Sequence, residues 1–105
     1  MFKRVVHPGV ILKDELDALG VSLSAFARQI DVPPNRVSQI IAGKRSATGD
    51  TALRLGHWFE IDPQFWLNLQ AQHDLAVADR QKGETIRHLP TRGSLPAQSE
   101  AREPR

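Results

Sequence analysis

Apolar side chains recur at three- and four-residue intervals in five segments of this chain, and no segment shows the strict alternation of a half-buried strand. The first segment predicts a helix over residues 8–18. Pro8 suits the first helical position, Ile11, Leu12, Leu16 and Leu19 form the apolar stripe, and Gly20 suits a left-handed close. Ser22 is a good N-cap for a second helix whose stripe is Leu23, Phe26, Ala27 and Ile30. A third helix follows Pro33-Pro34, buries Val37, Ile40 and Ile41, and ends at Gly43. A fourth begins near Thr48, with Asp50 in its first turn facing the helix dipole favourably, and with Ala52, Leu53, Leu55, Gly56 and Phe59 as its apolar positions. The fifth opens "DPQFW", capped by Asp62, and carries Phe65, Trp66, Leu69 and Leu75 to about Gln81. Connections of only a few residues make consecutive helices neighbours in space.

Beyond Lys82 the periodicity fails. Gly83, Gly93, Pro90, Pro96 and Pro104 punctuate a polar stretch with only isolated apolar residues. The expected organisation is therefore one domain over residues 1–81 and a flexible or partner-ordered tail over residues 82–105, in which Ile86, Leu89 and Leu95 would be the anchors.

The link between the second and third helices, "DVPP", is too tight for antiparallel packing, so the two helices must cross steeply. Ala27 is the small residue at the approach, Val32 plugs the open side of the turn, and Ile30, Val37 and Ile40 close it, which is the pattern of a DNA-binding helix-turn-helix. At about 100° per residue, Val37, Ile40 and Ile41 cluster on one side of the third helix. Asn35, Ser38, Gln39 and Ala42 point the other way, with Arg36 on the flank. That outward face is short, polar and mostly uncharged, whereas a merely solvated face more often carries Lys and Glu. Asn and Gln pair bidentately with adenine, Ser serves several bases and Ala touches a thymine methyl. Lys44 and Arg45, just past the helix end, are placed for phosphates rather than bases.

Charge sharpens this picture only when it is located. The 105 residues carry a formal net charge of +2. Residues 79–105 hold six Lys/Arg against four acids, and the other residues balance at eight of each. Within the balanced part, residues 13–17 read Lys-Asp-Glu-Leu-Asp, while residues 32–49 contain Arg36, Lys44 and Arg45 and no acid. One basic patch on a neutral domain suits a polyanion bound on one face. The length fits one small domain, and the absence of cysteine removes disulfide and thiolate-metal chemistry and suits a reducing cytoplasm. No signal peptide is expected from "MFKRVVHPGV", and no run approaches a membrane span. His7, His57, His73 and His88 are scattered over different elements, with no HExxH pattern and no local nucleophile and carboxylate, so neither an enzyme nor a metal or cofactor site is expected. His7 reads as helix-start chemistry, and His57 and His73 as surface or edge-of-core residues. Phe65 and Trp66, at helical spacing with Leu69, read as core or dimer contacts rather than base-stacking groups.

Three blocks, "HPGVILKDELDALGVS", "GKRSATGDTALRL" and "DPQFWLNLQAQHDL", occur in this order and span most of residues 7–78. In this combination the chain resembles the HigA/VapI antitoxins, a branch of the Xre/Cro-type helix-turn-helix proteins. The resemblance implies an all-α, five-helix Cro/repressor-like domain, here with a C-terminal extension. It further implies a homodimer on double-stranded operator DNA that represses its own operon and neutralises a HigB/RelE-like, mRNA-cleaving toxin; a solitary Xre-type repressor is the alternative. The expected DNA-binding residues are Ser24, Asn35, Arg36, Ser38, Gln39, Lys44 and Arg45, and helix five, with Trp66, Leu67 and Leu75, is the expected dimer face. Leu23 stands where the family often has a phosphate-contacting Gln, and Ser24 replaces that contact in part. Asp31 and Glu60 replace usual glycines, and Pro33 replaces the usual Ser/Thr cap of the third helix.

Overall fold

The computed structural model describes residues 6–95, so residues 96–105 of the expected tail, with Pro96 and Pro104, lie outside it. The described residues form five α-helices and no strand: α1 (Pro8–Leu19), α2 (Leu23–Gln29), α3 (Pro34–Ile41), α4 (Gly49–Phe59) and α5 (Pro63–Arg87), followed by a 3-10 turn at Arg92–Ser94.

The helix ends follow local chemistry. His7 Nδ1 accepts the Gly9 N–H at 2.9 Å and caps α1, and Gly20 closes that helix at φ 71°. Ser22, Thr48 and Asp62 accept the N–H groups of Ala25, Thr51 and Gln64 and so cap α2, α4 and α5. Asp31 and Glu60 do adopt the left-handed conformation, at φ 60° and 59°. Pro33 offers no side-chain cap to α3.

The core is built from Leu12 and Leu16 of α1, Phe26 and Ala27 of α2, Val37 and Ile40 of α3, Ala52 and Leu55 of α4 and Trp66 of α5, with Ile30 and Val32 sealing the turn. Phe26, Trp58, Phe59 and Trp66 form a run of aromatic contacts with ring centroids 4.8–6.0 Å apart. Trp66 is 1% exposed, so it is a core residue and is not available to a dimer face. Leu19 and Leu53 sit on the edges of their expected stripes and are exposed instead, Leu53 at 64%.

The fifth helix runs to Arg87, six residues past the expected end. Gly83 lies inside it, and its missing Cβ leaves room for the Asp79 carboxylate to meet Arg87 Nη1 at 2.8 Å across two helical turns. A Cβ at Gly83 would overlap that carboxylate. The stop comes just before Pro90, whose ring restricts the residue ahead of it. α5 packs on α4 and α1 and therefore only its first half is covered; Leu75 and Ile86 are exposed along the rest, and Leu89 is exposed just past its end.

Candidate nucleic-acid interface

The steep α2–α3 crossing rests on backbone geometry. Ala27 is fully buried where the helices meet, and its carbonyl accepts the Val32 N–H at 3.0 Å across the turn. α1 presses on α3 from behind. A Cβ on Gly9 would overlap the Ile40 carbonyl, so glycine is what permits that approach. With Val37 and Ile40 pinned in the core, the opposite side of α3 faces out. Gly43, at φ 77°, reverses the chain after α3, and the Lys44 N–H returns to the Gln39 carbonyl at 2.8 Å.

On the outward side, Asn35, Ser38 and Ala42 are exposed and Gln39 is partly so. Ser38 Oγ donates to the Asn35 carbonyl at 3.1 Å. Arg45 Nε donates to Gln39 Oε1 at 3.0 Å, which ties the first residues after α3 to its middle and leaves the Gln39 amide nitrogen turned away from the arginine. Lys44 is exposed beside them. Ser24 lies apart from this group, on the first turn of α2, and shares a shallow depression with Arg28, Asp31 and Pro34. The structure thus gathers Asn35, Ser38, Gln39, Lys44 and Arg45 at α3 and its end, with Ser24 on the α2 side.

Arg36 has company that the sequence reading did not give it. Its Nη1 lies 3.3 Å from Asp50 Oδ2 on α4, and the same oxygen accepts from Arg54 Nε at 2.9 Å. Arg54 Nη1 in turn donates to the Ile30 carbonyl at 2.8 Å and the Asp31 carbonyl at 3.3 Å, the orphan acceptors where α2 ends. The Arg54 hydrogen bond and charge, and after them the nearby Arg36 charge, hold the Asp50 carboxyl below its usual range against a smaller opposing effect of desolvation. Arg36 and Arg45 line one polar cleft of about 450 Å³ with these groups. The sequence reading missed Arg54; its spacing of four residues from Asp50 is the signal that could have found the pair, whereas its reach to the end of α2 leaves none.

Behind the interface, Gln70 of α5 is buried. Its Oε1 accepts the Ala47 N–H at 2.8 Å and its Nε2 donates to Asp74 Oδ1 at 3.0 Å. The His7 ring packs against α5 as well, 5.0 Å from that of His73 and nearly perpendicular to it. Burial, and then the charge of His73, push the His7 pKa below 6.5. His57 is exposed on α4 and His73 is partly buried. Among the described residues no group of three His, Asp or Glu converges as a metal site, and no helix is long and apolar enough to cross a membrane.

With this geometry established, the chain was compared with known proteins. The helix-turn-helix family model matches residues 12–66. Virulence-associated protein I of Dichelobacter nodosus is 44% identical over 78 residues, which cover 73% of this chain and 72% of that protein. Among solved structures, an addiction module antidote protein of a HigA family from Coxiella burnetii is similar at a TM-score of 0.82 and 43% identity, over 85% of this chain and 98% of that one. Pseudomonas aeruginosa antitoxin HigA with the higBA promoter is similar at 0.80 and 39%, over 85% and 98% of the two chains.

Proposed function

This chain belongs to the Xre-like helix-turn-helix family, with HigA antitoxins as its structural neighbours, and on that premise we propose that it is a DNA-binding antitoxin of a type II toxin-antitoxin module. It binds operator DNA as a homodimer, represses its own operon and neutralises a HigB/RelE-like, mRNA-cleaving toxin in the cytoplasm, without enzymatic activity of its own. The observation that carries the reading is the exposed, uncharged polar face of α3 set beside Lys44 and Arg45, in a chain similar to a HigA solved with its promoter.

In this reading Asn35, Ser38 and Gln39 meet base edges in the major groove. Lys44 and Arg45 grip phosphates beyond the end of α3, Ser24 does so from α2, and Arg36 flanks the groove. Two copies pair through the outer half of α5. Leu75 and Ile86, eleven residues apart, fall on one face of that helix and are 59% and 53% exposed. Residues 1–81 act as the DNA-binding unit, and residues 82–105, which include the last turns of α5, as the partner-facing extension.

The test is co-expression with the product of the adjacent gene. That product is expected to arrest growth alone and to be relieved by this chain, through a complex that survives purification. A non-toxic neighbour, or toxicity that persists, overturns the antitoxin assignment and leaves a repressor acting alone. Binding of the purified chain to its own upstream DNA then tests the repressor half.

A further inference from the structure

We infer that Asp50 is a specificity-determining residue that holds Arg36 against the flank of α3 and so withholds one positive charge from sequence-independent binding; this rests on the DNA-binding reading above. Three observations carry it. A single carboxylate oxygen, Asp50 Oδ2, lies within 3.3 Å of Arg36 Nη1 and 2.9 Å of Arg54 Nε. Arg54 is itself anchored to the carbonyls of Ile30 and Asp31, so the carboxylate is held from a fixed point at the end of α2 rather than left to wander. Asp50 also stands at the edge of an otherwise basic stretch, since residues 32–49 contain no acid.

For Arg36 to reach a phosphate it must leave Asp50. On arbitrary DNA, where phosphate neutralisation supplies essentially all the affinity, that exchange is a direct loss. On an operator, base-edge contacts already fix how α3 sits, and one more mobile cation adds less. Asp50 therefore lowers binding to arbitrary sequence more than binding to the operator, which raises the ratio between them. The pair is exposed, so breaking it costs folding little, although Asp50→Asn also gives up a favourable charge in the first turn of α4.

The test uses the full chain, a duplex selected from random sequence by the wild-type protein, and a scrambled duplex of equal length, titrated over a series of KCl concentrations. Asp50→Asn is expected to bind the scrambled duplex about two- to fivefold more tightly. Its log–log salt slope there should steepen by about 0.9, with a smaller change on the selected duplex and a fall in Tm of no more than a few degrees from the lost first-turn charge. In an Arg36→Gln background the same substitution should do nothing to the slope. An equal gain in that background means that Asp50 acts as a general charge, and weaker binding to both duplexes with a lower Tm means a purely structural role; either overturns the inference. As a check independent of Asp50, Arg36→Gln should flatten the slope less than Lys44→Ala does, and equal flattening overturns it as well. A wild-type chain that enriches no sequence and binds neither duplex overturns the DNA reading itself, an outcome distinct from wild-type binding that Asp50→Asn leaves unaltered.

Discussion

Replacing Gly9 with Ala tests whether α1 sets the position of α3. On an open helical site the substitution stabilises, since Ala is favoured over Gly by about 0.5–1 kcal/mol. Here the new Cβ would overlap the Ile40 carbonyl oxygen and come within 2.7 Å of its carbon and 2.8 Å of Ile41 Cα. Carbon–carbon contacts are optimal at ~3.5–4.0 Å, so α1 and α3 must part by ~0.8 Å or more. The obstacle is backbone, which cannot rotate aside as a side chain would. Overpacking of this kind costs about 1–3 kcal/mol. For a domain of this size each kcal/mol shifts Tm by roughly 4–8 °C, giving an expected fall of ~5–20 °C. Gly49→Ala is the matched control: nothing lies within 4 Å of its Cβ, and the expected effect is a gain of up to ~1 kcal/mol. Thermal melts followed by far-UV circular dichroism read both. Since Ile40 belongs to α3, Gly9→Ala should also weaken operator binding at temperatures where the variant is fully folded. A Gly9→Ala variant as stable as wild type would refute the argument, and one that melts lower but binds the operator normally would refute its link to α3.

Gln39→Ala should cost roughly 1–3 kcal/mol on the operator and relax preference at one base position, read by selection from random sequence; an unaltered preference removes Gln39 as a reader. Lys44→Ala and Arg45→Ala should weaken all sequences about equally and flatten the log–log salt slope by about 0.9 each, as measured by anisotropy titration. The His7 pKa is depressed in the fold, chiefly by burial and then by His73, with Asp74 and the Arg45 backbone opposing. Its contribution is therefore complete above pH 6.5 and is lost as pH falls below that value. Chemical denaturation should show this decline, and it should shrink in His7→Asn, which keeps a capping acceptor but does not titrate. Glu60→Gly should raise stability by ~1 kcal/mol, since Glu60 holds φ 59° without making a side-chain contact among the described hydrogen bonds; an unchanged midpoint would mean that the left-handed turn is not strained.

The five helices were legible because each begins with its own signal and carries a 3.6-residue stripe, and because single prolines and glycines mark the breaks. The α3 face was legible for the same reason: once Val37 and Ile40 are assigned inward, Asn35 and Ser38 have nowhere to go but out. What periodicity could not rank was position at the margin of a stripe. Leu53 and Leu19 look as apolar as Leu55 and Leu16, but burial depends on which helix lies opposite, and that is tertiary information. Gly83 misled because a glycine in a polar stretch reads as a break, whereas here its lack of a side chain admits an Asp79–Arg87 pair eight residues apart, a spacing beyond the usual helical neighbours. The Asp50–Arg54–Ile30 network was only half legible, for the contact that gives it meaning joins residues 24 apart in sequence.

The hydrogen bond from Ala47 N–H to Gln70 gives the proposed interface a rear mounting. Ala47 lies two residues beyond Arg45, and Gln70 lies one turn ahead of Leu75 and Asp74 on the helix assigned to pairing. In the proposed reading, the grip on phosphate and the grip on a second copy thus lie on either side of one buried hydrogen bond. Should a partner shift the α5 axis at Gln70, that hydrogen bond is the route by which the shift would reach Ala47 and, two residues earlier, Arg45. Linkage then makes the effect mutual: whatever factor pairing applies to DNA affinity, DNA applies to pairing.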